Sequence, residues 1–332
     1  MRLLIVLPGA LGDVIRALPL LGRLRRAHPG ATLAWVVEPL SLPLLDGHPW
    51  LDRVHRLERR PRVRGLVRAA REIRTAHYDV ALDLGRGAKS AVLARASGAG
   101  RRIGFARDEA REGSWLVSTE HLAPQGVTRS KLEQFLVFGD AIGATDHAIG
   151  FGLGPTPAEA ADAAALVGDD PRPLVAACVG SSCSSRRWFP ERTAAVLDAL
   201  AERHGTRAVI LGTAADARFA EGVVAAAKSA VTNLAGQTSV RQLLAVLARV
   251  RLAFGPDSGA LHLAAALGVR VVSLWGATSA LRSAPFGSER WAITGTAPCS
   301  PCFLTGCPIG RVCMTTIEVD AVVASASEAA VA

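Results

Sequence analysis

The sequence predicts an α/β protein of two consecutive doubly wound halves, and three observations predict it. Short apolar runs alternate with amphipathic helical stretches along most of the chain, the pattern of parallel sheets wrapped by helices. The stretch from Ala253 to Gly276, AFGPDSGALHLAAALGVRVVSLWG, reads as strand, tight turn, helix, strand, which is one βαβ unit. Glycine and proline then concentrate between Gly143 and Pro173 and divide two series of elements. The expected organisation is a domain over residues 1–155, a connection over 156–171 and a second domain over 172–332, with the two halves meeting at a cleft. At 332 residues the chain is long enough for two cores of ordinary size.

In the first half, Arg2 to Leu7 reads as a central parallel strand. Pro8-Gly9-Ala10-Leu11-Gly12 makes a loop. A helix from Asp13 follows through Val14, Ala17, Leu18, Leu21 and Leu24 to His28, where Pro29-Gly30 stops it. Its periodicity sets Arg16, Arg23, Arg25 and Arg26 outside. Thr32 to Val37 is the second strand. Gly9 and Gly12 do not complete a GxGxxG, and only Glu38 supplies an acid after the second strand, so the signal for a dinucleotide is weak. Arg53 to Leu57 fits a third strand. The basic run from Arg56 to Arg68 is either a solvated helix face or loop, or an anion-binding surface. Val80 to Leu84 is a further strand leading to Gly85-Arg-Gly-Ala-Lys89-Ser90 at a helix start, and Lys89 is one of only three lysines. Arg101 to Phe105 is a short strand, Arg107 to Glu112 a charged loop, and Arg129 to Ile142 a helix.

The second half repeats the scheme. An alanine-rich helix, Ala158 to Val167, lies within the glycine- and proline-rich connection. Strand Leu174 to Ala177, loop Cys178 to Pro190, helix Glu191 to Arg203 and strand Ala208 to Leu211 follow. Helices from Ala215 to Lys228 and from Val240 to Ala248 lead into the βαβ stretch. There, Asp257-Ser258-Gly259 forms a polar turn at the carboxyl end of a strand and opens a helix that Gly268 closes. Such a turn either serves as a helix cap or presents free amides to an anion. Asp257 can cap the helix or bind a hydroxyl or amine, while the amides of Ser258 and Gly259 face a phosphate and His262 adds a donor one turn on.

Composition narrows the function classes. The net charge is +9 and falls almost wholly on arginine, which implies attraction to polyanions. No nucleic-acid module or zinc-finger spacing is present, and aromatics make up 5% of the chain, which argues against base-stacking platforms. No run approaches the ~18 apolar residues of a membrane span. Pro8-Gly9 and Asp13 interrupt the first apolar run too early for a signal peptide, so the expectation is a cytoplasmic protein.

Three motifs give the chain a resemblance to the ADP-heptose:lipopolysaccharide heptosyltransferases, inverting glycosyltransferases of the GT-B architecture. Gly12-Asp13 followed by Leu18-Pro19 is similar to that family's GD-x4-LP. Arg186-Arg187-Trp188-Phe189-Pro190-Glu191 resembles its K-R-W-P segment, with arginine in place of the usual lysine. Asp257-Ser258-Gly259-x2-His262-Leu-Ala-Ala-Ala-Leu-Gly is close to its D-[ST]-G-x2-H-L-A-A-A-L-G. In order and spacing the resemblance spans residue 1 to about Val323. It implies two Rossmann-like domains facing a central cleft, with acceptor binding in the first and nucleotide-sugar binding in the second. Asp13 is then the general base that accepts the acceptor hydroxyl's proton. Ser181, Ser182, Arg186, Asp257, Ser258, Gly259 and His262 bind the nucleotide sugar. Arg60, Arg62, Arg64, Lys89 and Arg111 meet a phosphorylated, lipid-linked glycan acceptor at the inner membrane surface, where the protein would be peripheral.

Cys299-x2-Cys302-x4-Cys307-x5-Cys313 places four of the six cysteines in one short segment. The spacing suits either a structural zinc or free, redox-labile thiols, and no cofactor is required for the chemistry. Three other readings stand beside the heptosyltransferase: a nonhydrolysing sugar-nucleotide epimerase of the same architecture, a glycosyltransferase using another nucleotide sugar, and a nucleotide-binding module without catalysis.

Overall fold

The computed structural model describes residues 1–331 and divides the chain into two compact units, Met1–Leu153 and Gly154–Ala332. The strands of the first unit are β1 (Arg2–Val6), β2 (Thr32–Val37), β3 (Arg53–Arg56), β4 (Val80–Asp83), β5 (Arg101–Gly104) and β6 (Glu120–His121). Its helices are α1 (Leu11–Ala27), α2 (Leu42–Leu45), α3 (Arg62–Thr75), α4 (Ala88–Ala96) and α5 (Lys131–Asp140). The strands form one parallel sheet in the order β3-β2-β1-β4-β5-β6.

The alternation of β1 explains why it is central. Leu3 and Ile5 enter one apolar core with Leu18, Leu21 and Phe138, whereas Leu4 and Val6 enter the other with Ala69, Ile73 and Leu93. Both faces are covered, so the strand reads as a continuous apolar run. α1 packs against α5, and here the periodicity misplaced two arginines. Arg23 is 2% exposed, donating to the Leu136 carbonyl at 3.2 Å and to Asp140 at 2.9 Å. Arg16, also expected outside, is buried beside Asp13. Long cationic side chains can line a helix–helix seam when acceptors wait at its far side. The basic run after β3 enters α3: Leu66, Ala69, Ala70 and Ile73 turn inward, while Val63, Arg64, Val67, Arg68 and Arg71 stay exposed.

The second unit contains β7 (Leu174–Cys178), β8 (Arg207–Leu211), β9 (Val231–Asn233), β10 (Leu252–Pro256), β11 (Arg270–Trp275) and β12 (Ala292–Thr294). Its helices are α6 (Pro157–Val167), α7 (Pro190–His204), α8 (Ala217–Ala226), α9 (Val240–Leu247), α10 (Gly259–Ala266), α11 (Ala280–Ser283), α12 (Val312–Thr315) and α13 (Val319–Val331). Its parallel sheet runs β12-β11-β10-β7-β8-β9. Counted from its own first strand, each sheet has the Rossmann order 3-2-1-4-5-6. Each is therefore the doubly wound unit of which the GT-B architecture is built. The switch points fall between β1 and β4 and between β7 and β10, and the motif loops follow β1, β7 and β10.

The segment expected to connect the domains is structured. A Thr156–Glu159 capping box and Pro157 start α6, which packs on α9 within the second unit through an Arg241–Glu159 ion pair of 2.5 Å. Beyond Trp275 the sequence reading placed no elements. There β12 extends the sheet, and α13 buries Val322, Val323, Ala326 and Ala329.

Candidate active site

Asp13 lies in the first turn of α1, at the carboxyl end of β1, and its side chain is 26% exposed. It does not cap the helix: the N-cap is Ala10, with no side-chain cap bond. Its Oδ1 accepts from Arg16 at 2.6 Å and from Lys131 of α5 at 3.0 Å. Burial pushes the Asp13 carboxyl up. The charges of Arg16 and Lys131 and their hydrogen bonds outweigh that push and hold it well below the usual carboxylate range. Oδ2 accepts no hydrogen bond among the described residues, which leaves one oxygen for an incoming hydroxyl.

Two more carboxylates stand on the same sheet edge. Glu38 follows β2, with its side chain 7% exposed, and binds Lys89 at 2.6 Å through Oε1 and Arg59 at 2.5 Å through Oε2. Asp83 ends β4, opposite Val6 in the register, and its Oδ1 accepts the Gly85 amide at 3.0 Å. Burial raises the Asp83 carboxyl to about 7 against the opposing hydrogen bonds from Ser90 and Gly85. Of the expected acceptor residues, Lys89 is thus ion-paired but half exposed. Arg60, Arg64 and Arg111 are exposed, the first two flanking the start of α3. The Arg62 side chain lies outside the described residues.

In the second unit the loops after β7 and β10 are drawn together. Gly255 has φ +150°, and a Cβ there would stand 2.1 Å from the Cys178 carbonyl oxygen, so only glycine lets β10 lie this close to β7. Asp257 then meets Arg186 of the β7 loop: Nη1 to Oδ2 is 3.0 Å, with side chains 24% and 12% exposed. Thr278, after β11, donates its hydroxyl to the same Oδ2 at 3.0 Å, and the Ser181 hydroxyl donates to the Asp257 carbonyl at 3.1 Å. Asp257 therefore takes a cation and a hydroxyl instead of capping α10. His262 is buried, its Nε2 4.0 Å from Asp257 Oδ1. Ser258 occupies the N-cap position of α10 without a side-chain cap bond, which leaves the helix start at Gly259 open for an anion. Ser182 is exposed, and its hydroxyl lies 3.7 Å from Cys183 Sγ.

The cysteine-bearing segment braces this loop. Ser185 and Ser184 donate to the carbonyls of Leu304 at 2.5 Å and Thr305 at 3.3 Å, and Arg311 donates to those of Arg187 at 3.0 Å and Trp188 at 3.2 Å. The zinc expectation gains no support from this arrangement. No three His, Cys, Asp or Glu side chains are disposed to hold a metal among the described residues. The cysteines are free thiols; Cys313 is pushed up by burial and further by its proximity to Cys299, Cys302 and Cys307.

Residues 66–312 match the model of glycosyltransferase family 9 (heptosyltransferase). The chain belongs to this family. It is 28% identical over 322 residues to lipopolysaccharide heptosyltransferase 1 of Pseudomonas aeruginosa, covering 92% of this chain and 87% of that one. Among solved structures, a family 9 glycosyltransferase of Veillonella parvula superposes with a TM-score of 0.85 at 21% identity, covering 99% and 97% of the two chains. The E. coli heptosyltransferase WaaC with ADP gives 0.77 at 20% identity, covering 99% and 100%. The epimerase reading falls with the family match: the chain is a glycosyltransferase.

Sequence reasoning did not name as site candidates several residues that the structure places beside the expected ones. Lys131 carried the same signal that singled out Lys89, a lysine in an arginine-dominated chain, but lay inside an expected helix. Thr278 is a polar residue just beyond a strand end, a position that marks the ligand edge of such sheets. Asp83 and Glu38 also sit at strand ends, but nothing in sequence tells a buried carboxylate from a solvated one.

Proposed function

We propose that this glycosyltransferase moves a heptose from ADP-heptose to the inner core of lipopolysaccharide or a related glycan, with inversion at the anomeric carbon. The observation that carries the reading is the anion-ready corner of the second unit: an uncapped α10 start beside Arg186, which Asp257 and Thr278 hold in place. The diphosphate gains charge as the glycosidic bond breaks, and preorganised amides and a guanidinium stabilise that charge where it develops. The relatives' names and the ADP carried by WaaC support the donor and the glycan class.

In this reading an acceptor hydroxyl attacks the anomeric carbon, the bond to ADP breaks, and the hydroxyl proton passes to Asp13. Arg16 and Lys131 keep Asp13 ionised, at the expense of its basicity. Ser181, Ser182, Ser258, Gly259 and His262 complete the donor side, and Arg60, Arg62, Arg64, Lys89 and Arg111 the acceptor side. No metal takes part in this scheme. No described helix is long and apolar enough to cross a membrane. A peripheral position on an anionic membrane face is supported by α3, whose exposed side carries Arg64, Arg68 and Arg71 with Val63 at 75% and Val67 at 42% exposure.

Thermal stabilisation by a panel of nucleotides tests the donor assignment. ADP at a hundred times its dissociation constant should add about 2.7 kcal/mol. Stabilisation by UDP-sugars with none by adenine nucleotides would remove the ADP-heptose assignment.

A further inference from the structure

Glu38 is the acid that follows the second strand, the place where a dinucleotide-binding sheet keeps its ribose-binding carboxylate. Here both of its oxygens are occupied, by Lys89 at 2.6 Å and Arg59 at 2.5 Å, and its side chain is only 7% exposed. Its carboxylate is turned to these two cations and not to a ribose. The cations it holds stand outward, Lys89 53% and Arg59 70% exposed. Neither donates any other hydrogen bond among the described residues, so most of their N–H groups remain available.

The course of this bridge across the sheet is informative. β1 lies between β2 and β4, so the strands carrying Glu38 and leading to Lys89 are two spacings apart, about 9–10 Å. Lys89, in the first turn of α4, therefore reaches across the end of β1 to meet Glu38. The bridge lies near the carboxyl ends of β2, β1 and β4, close to the switch point where such sheets receive ligands. Stability is a weak reason for the arrangement. Exposed cations pair for little net gain, and sinking a carboxylate beneath them costs desolvation. What the arrangement does provide is order, because two long, rotamer-rich side chains are fixed before any ligand arrives.

We propose that Glu38 is the positioning residue of an anion clamp, holding Lys89 and Arg59 over the carboxyl end of β1 to receive an anionic group of the acceptor, a phosphate or a carboxylate. This rests on the assignment of acceptor binding to the first unit. It adds Glu38 and Arg59 to that site and gives the ion-paired Lys89 a defined geometry.

The test is steady-state transfer and donor-free binding of the full-length enzyme with a glycolipid acceptor, intact or dephosphorylated. Glu38→Gln should raise the acceptor KM about 10- to 100-fold, the scale of a lost charge-assisted contact, with kcat and ADP affinity within about twofold. Glu38→Asp, which keeps the charge on a shorter arm, should recover part of the loss. In a Lys89→Met background, Glu38→Gln should add much less than it does alone. A Glu38→Gln penalty that disappears with the dephosphorylated acceptor identifies the anion as phosphate; one that persists identifies a sugar carboxylate. An acceptor KM within twofold of wild type for both acceptors, or full additivity with Lys89→Met, would overturn the clamp. Should Glu38→Gln not fold, Lys89→Met and Arg59→Met, on exposed side chains, carry the same KM test. Wild-type enzyme that binds the glycolipid yet transfers no heptose sinks the functional reading alone, because the binding arm still measures the clamp.

Discussion

Replacing Asp83 with asparagine should remove a pH dependence that the fold of the first unit imposes on itself. Asp83 is 3% exposed, and burial raises its carboxyl from 3.8 to about 7. The native state therefore binds this proton more tightly than the unfolded chain does. The resulting stability is fully present below the unfolded value and is lost as pH rises through about 7. Between pH 5 and pH 8 the linkage integrates to a loss of roughly 2–3 kcal/mol. Asparagine is nearly isosteric, still accepts the Gly85 amide through its carbonyl oxygen, and carries no titrating proton. Urea unfolding of wild type and Asp83→Asn at the two pH values should show the variant gaining roughly 2–3 kcal/mol on the wild type between pH 5 and pH 8. Parallel pH dependence in the two proteins would refute the argument, because the carboxyl would then be ionised in the folded protein at pH 5.

Two further outcomes follow from the sites. Arg186→Ala should weaken ADP binding about 10- to 100-fold by calorimetry, the scale of a charge-assisted hydrogen bond, whereas Arg186→Lys should stay within a few fold because it retains the cation. Equal affinity of Arg186→Ala and wild type would take the guanidinium out of the phosphate site. On α3, reversing Arg64, Arg68 and Arg71 to glutamate should lower partition onto anionic vesicles by at least about two orders of magnitude, at ~1 kcal/mol per cation, with no change on neutral vesicles. Unchanged co-sedimentation would leave the exposed arginines merely solvated.

What sequence could convey here was set by how local each feature is. The central strands, the Gly268 stop and the Asp257-Ser258-Gly259 turn are local patterns of apolarity and turn chemistry, and they lie where the sequence reading puts them. The partners of these residues are set by topology. Lys131 reaches Asp13 because α5 packs on α1, Thr278 reaches Asp257 because β11 lies beside β10, and Lys89 reaches Glu38 across β1. None of these distances is encoded in spacing. The periodicity of α1 ranked Arg23 as a surface residue because hydropathy cannot register an acceptor such as Asp140 on a distant helix. The C-terminal helix escaped notice for another reason: its buried face is built largely of valine and alanine, too small to make a strong apolar stripe.

The most direct test of the central claim is heptosyl transfer itself, followed by mass spectrometry with ADP-heptose and a lipopolysaccharide acceptor lacking its heptoses. Wild-type enzyme should add one heptose to the acceptor and release one ADP for each. Asp13→Asn should cut kcat by ~10²–10⁴-fold, the usual contribution of a general base, while ADP affinity stays near wild type. An acceptor whose mass does not change with ADP-heptose would contradict the assignment, and an Asp13→Asn enzyme that keeps most of its kcat would place the base elsewhere.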